Sequence, residues 1–78
     1  MTPLERLESL AVEVYGRGAA ISLDRKTIPG GGEMSRGWEI IVWSPKGEAM
    51  LAARMTGKAA AVRACLERLR EKQEASCL

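Results

Sequence analysis

Residues 38–69 read WEIIVWSPKGEAMLAARMTGKAAAVRACLERL, and this stretch decides the fold. Trp38, Ile40 and Val42 alternate with Glu39, Ile41 and Trp43. Aromatic and β-branched residues in that alternation suit a pleated strand with one face buried. Ser44-Pro45-Lys46-Gly47 supplies a tight turn, with proline early and glycine late. Residues 48–54 then return as the second arm of a hairpin. Beyond them Ala59, Val62, Cys65, Leu66 and Leu69 recur at helical spacing, and Thr56 offers a side-chain oxygen as N-cap. Alanine on this stripe lets the helix lie close to the sheet, while Arg63, Glu67, Arg70, Glu71 and Glu74 fall on its outer side.

Working outward, Thr2-Pro3 opens a first helix. Pro3 occupies a position whose N–H has no partner in any helix, and Thr2 with Glu5 has the spacing of a capping box. Leu4, Leu7, Leu10, Ala11 and Val14 share one stripe, Glu5, Glu8 and Glu13 face water, and Gly16 and Gly18 stop the helix. Residues 19–24 alternate as a short strand, with Ala19, Ile21 and Leu23 on one side. Residues 25–37, which contain Pro29-Gly30-Gly31-Gly32, are expected to form a long irregular loop, because a glycine run loses too much backbone entropy when ordered. Residues 75–78 are expected to fray. The order is helix, strand, strand, strand, helix. The expected class is α+β: a single domain, residues 1–78, with a three-stranded antiparallel sheet and both helices on one face.

The chain has 78 residues, 46% of them hydrophobic and 28% charged, with a net charge of +2. A chain this short buries only about 60–65% of its unfolded surface, so its core is thin. The charge balance permits a nucleic-acid partner without demanding one. Two cysteines, Cys65 in the helical stripe and Cys77 in the tail, are too few for a disulfide scaffold. No apolar run approaches the roughly 20 residues of a membrane span, and the N-terminus lacks a basic-then-apolar leader. A cytoplasmic location is the resulting expectation.

Enzymatic chemistry finds no footing. The chain has no histidine, so Cys65 cannot belong to a Cys–His pair. The carboxylates are scattered, which leaves neither a catalytic dyad nor a metal-ligand set. Gly30-Gly31-Gly32 lacks the Lys-Ser/Thr of a P-loop, and Thr56-Gly57-Lys58 is too short a match. No cofactor is expected.

The element order, the opening Pro3-Leu4 with Leu7 and Leu10, the glycine-bearing loop and the closing AAAVRACLERL resemble the double-stranded-RNA-binding domain over nearly the whole chain. In that family a cluster of lysines at the start of the second helix bridges phosphates, and the loop between the first two strands enters the minor groove. Aligned from the Leu-Glu-Arg-Leu end, Lys58 takes the place of the last lysine and Arg54 that of the first, with Met55 between them. Aligned from Thr56 as cap, only Lys58 lands on the cluster. The family's Gly-Pro-x-His loop motif is absent. The resemblance implies a non-enzymatic nucleic-acid-binding module with contacts from Lys58, Arg54, Arg36, Lys26 and Arg25. The alternative is a protein-interaction or homodimerisation module working through the uncovered sheet face, with Ile41, Trp43 and Met50 as its interface. Against that alternative, Trp43 and Met50 need only shield each other across strands.

Overall fold

The computed structural model describes residues 2–28 and 35–76. The first helix, α1, spans Pro3–Tyr15. Thr2 caps it: its Oγ accepts the Glu5 backbone N–H at 3.2 Å and donates to the Glu5 carboxylate at 3.0 Å. Glu5 thus answers the cap through its side chain, a variant of the reciprocal box. Leu7 and Ala11 are fully buried on the inner stripe, with Leu4, Leu10 and Val14 packed beside them. Gly16 ends the helix at φ 104°, a region in which side chains are strained, and donates to the Val12 carbonyl at 2.8 Å.

Three strands follow, β1 at Ala20–Ile28, β2 at Ser35–Trp43 and β3 at Ala49–Met55, in the antiparallel order β1-β2-β3. The β1–β2 ladder runs unbroken from Ala20 opposite Trp43 to Ile28 opposite Ser35. This corrects the long-loop expectation for residues 25–37. Residues 25–28 and 35–37 are strand, because each finds a cross-strand partner that composition does not reveal. The Pro29-Gly30-Gly31-Gly32 tip lies outside the described residues.

A bulge sets the sheet's parity. Trp43 pairs with Ala49 but Val42 pairs with Leu51, which leaves Met50 as the extra residue. Had the Trp43–Ala49 pairing continued without it, Met50, Ala52 and Arg54 would face the helices. With it, Leu51 and Ala53 do, and both are buried beside the fully enclosed Ile40 and Val42.

The second helix, α2, spans Lys58–Ser76. The Gly57 carbonyl accepts the Ala61 N–H at 3.0 Å, so Gly57, not Thr56, occupies the cap position. Residues 75 and 76 belong to this helix, and Cys77 lies outside the described residues. Ala61, Val62, Cys65 and Leu69 join Leu7 and Ala11 of α1 and the inner residues of β2 and β3 in one core. Both helices therefore cover the same sheet face. Burial pushes the Cys65 thiol up to about 11. The helices run parallel: Thr2 and Arg6 line a cleft with Lys58 and Arg63, and at the far end Gln73 Nε2 donates to Glu13 Oε2 at 2.8 Å. Arg68 Nη1 donates to the Ala52 carbonyl at 2.6 Å, tying α2 to the edge strand β3. The α-β-β-β-α arrangement is compatible with the topology of the double-stranded-RNA-binding domain. No helix among the described residues is long and apolar enough to cross a membrane.

Candidate nucleic-acid interface

The sheet alternation divides the expected cations between two faces. Arg25 and Trp38 are direct partners across β1 and β2, on the side that carries the helices. The Arg25 guanidinium carbon lies 5.4 Å from the centre of the Trp38 ring, and Lys58 Nζ, from the first residue of α2, lies 5.5 Å from it. One indole thus holds a strand cation and a helix cation within about 11 Å of each other. Arg36, two residues before Trp38, shares its side of the sheet and stands opposite Thr27. Arg25, Lys26, Thr27 and Arg36 line a small cleft of about 160 Å³.

A larger cleft, about 730 Å³, opens between the N-terminal halves of α1 and α2. Its floor is Pro3, Leu4, Ala59, Val62 and Leu66, and its charged members are Arg6, Lys58 and Arg63. Among the described residues no acidic side chain lines either cleft. Arg6, Arg36 and Arg63 make no ion pair with a described residue. Lys58 lines the larger cleft and also sits on Trp38, so the two cationic groups meet there.

Arg54 and Lys26 point to the reverse face, where both hold Glu39. That carboxylate is only 3% exposed although no helix covers it. Arg54 Nε donates to Glu39 Oε2, and Lys26 Nζ lies 3.7 Å from Oε1. The Arg54 hydrogen bond, with the two positive charges, holds the Glu39 carboxyl below its ordinary value against the opposing effect of burial. The positive charge of Arg54 is thus spent within the sheet.

Further along the same face, Trp43 is half-buried and its indole N–H donates to Ser22 Oγ at 3.0 Å. Ile41 is half-buried opposite Ala52, and Met50, the bulge residue, is 40% exposed. Among the described residues no third layer covers this side.

Sequence reasoning missed Arg6 and Arg63. Both sit on outward helix positions that read as solvated charges, and only the parallel packing of α1 on α2 brings them to one cleft. It also missed the burial of Glu39. The signal available was its cross-strand position opposite Arg54, which requires the bulge to be known. Among the described residues no three His, Cys, Asp or Glu side chains gather as a metal site. Comparison of the chain with protein-family models, curated proteins and solved structures gave no match.

Proposed function

We propose that this domain binds the phosphate backbone of a nucleic-acid duplex through the end where both helices begin. The observation that carries the reading is Trp38, whose ring holds Arg25 and Lys58 and so joins the cations of two clefts, of which only Lys26 is paired with a described acid. The N-terminus of α2 adds roughly half a positive charge at this end, whereas Glu5 offsets that of α1. α2 has no acidic residue in its first turn to offset that charge. Cations spaced over one surface recruit phosphates by releasing condensed counterions, without reading bases. Trp38 is covered by cations and the Trp43 N–H is taken by Ser22, which favours backbone contact over stacking with unpaired bases. The test is electrophoretic retention of a 20-base-pair RNA or DNA duplex at low salt. Retention lost in Lys58→Glu supports the reading, and no retention of either duplex by the natural chain refutes it.

A second reading places a protein partner, or a second copy of the chain, on the reverse face. It is favoured by the 40% exposure of Met50 beside Trp43 and Ile41 on a side without a covering layer. It requires a dimer or complex by light scattering that Trp43→Ser disrupts, and a strictly monomeric particle removes the homodimer.

A further inference from the structure

The cleft between the helix starts has a composition that phosphate binding does not use. A duplex backbone needs charge and shape; it has no use for a hydrocarbon floor. Here Leu4 and Leu66 are only half-buried, Ala59 is exposed, and Pro3 and Val62 complete a continuous apolar strip. Arg6, Lys58 and Arg63 stand around that strip with no acid among the described lining residues. At about 730 Å³ the cleft lies within the roughly 300–1,000 Å³ range of small-molecule sites.

We propose that this cleft binds a single amphipathic anion: a free long-chain carboxylate, its aliphatic tail on Leu4, Val62 and Leu66 and its head group among Arg6, Lys58 and Arg63. Charge complementarity selects the head, since an uncharged or cationic amphiphile leaves three cations crowded without a counter-charge. The floor selects the tail, since each methylene removed from water there strengthens binding. The apolar floor is independent of nucleic-acid binding, although Arg6, Lys58 and Arg63 are common to both. An occupied cleft neutralises one end of the cationic surface, so carboxylate and duplex compete.

The experiment is a titration of the whole chain with octanoate, decanoate and dodecanoate, each below its micelle concentration. It is followed by calorimetry and by tryptophan emission, which senses Lys58 moving over Trp38. Saturable one-to-one binding is expected. Full methylene burial corresponds to about a fourfold gain per carbon, and the open side of the cleft lowers this to between about twofold and fourfold. Dodecanol should bind at least tenfold more weakly than dodecanoate. Leu66→Asn, which makes the floor polar without adding charge, should abolish the chain-length dependence while leaving duplex retention intact, which separates this site from the interface proposed above. Arg63→Glu, at an exposed position the core does not use, should weaken dodecanoate at least tenfold. Absence of saturable binding, an affinity flat with chain length, or equal binding of dodecanol each overturns the proposal.

Discussion

Removal of the Lys58 ammonium tests how the cationic end works. Five cations, Arg6, Arg25, Arg36, Lys58 and Arg63, line the two clefts without a hydrogen-bonded acidic partner among the described residues. If each neutralises one phosphate, the logarithm of the binding constant falls with that of salt concentration at a slope of about −4.5. Between 50 and 200 mM salt the affinity then drops about 500-fold. Lys58→Ala leaves four such contacts, a slope of about −3.6 and a drop of about 150-fold over the same range. The control is Lys46→Ala. Lys46 is exposed in the turn between β2 and β3, which packs by Pro45 against Gly16 and Gly18 at the opposite end of α1. Fluorescence anisotropy of a labelled duplex at four or five salt concentrations gives both slopes. A natural slope shallower than about −2, or equal changes in the Lys46 and Lys58 variants, refutes the reasoning, because the surface would then carry no localised phosphate contacts.

Three further outcomes concern the scaffold. Leu69→Ala removes a fully buried side chain from the middle of α2, and should cost about 2–5 kcal/mol in urea denaturation, against the roughly 4–12 kcal/mol available to a domain of this length. Among the described residues the Tyr15 hydroxyl is buried without a hydrogen-bond partner; Tyr15→Phe should therefore leave stability unchanged or raise it by up to about 1 kcal/mol, a melting shift of about 4–8 °C, and a clear loss would count against an orphaned hydroxyl. The Glu39 carboxyl titrates lower in the folded chain than in the unfolded one, so its contribution is fully present above the ordinary value of 4.5 and is lost as pH falls through the lower folded value. Denaturant midpoints between pH 2.5 and 6 should show that acid loss in the natural chain and a smaller one in Glu39→Gln; identical profiles would mean that the contact with Arg54 stabilises nothing.

Much of the fold is legible because it rests on local signals. Thr2 and Glu5 cap α1, leucines at helical spacing mark its inner stripe, and Trp38, Ile40 and Val42 alternate onto the core side as their spacing implies. What stayed hidden depends on distant partners. Arg25, Lys26 and Gly37 do not read as strand by themselves, and they are strand because Arg25 faces Trp38 and Lys26 faces Gly37 across the ladder. The site follows the same division. Charge marked Lys58, Arg25 and Arg36 as candidates, but charge cannot say that Arg54 is occupied by Glu39 or that Arg6 and Arg63 line one cleft. Those facts belong to strand register and helix packing, which are fixed only once the whole chain is assembled.

The carboxylate hidden on the unroofed side also has a consequence for how this chain avoids misfolding. A shift of the central ribbon by a single step would exchange its two sides, driving an ionised oxygen pair into hydrocarbon beneath the helices and stranding the arginine that had matched it. Such an assembly is penalised far more than one in which two neutral side chains trade places. The ion group therefore proofreads alignment: its value lies less in the strength of the correct state than in the cost it imposes on every near miss.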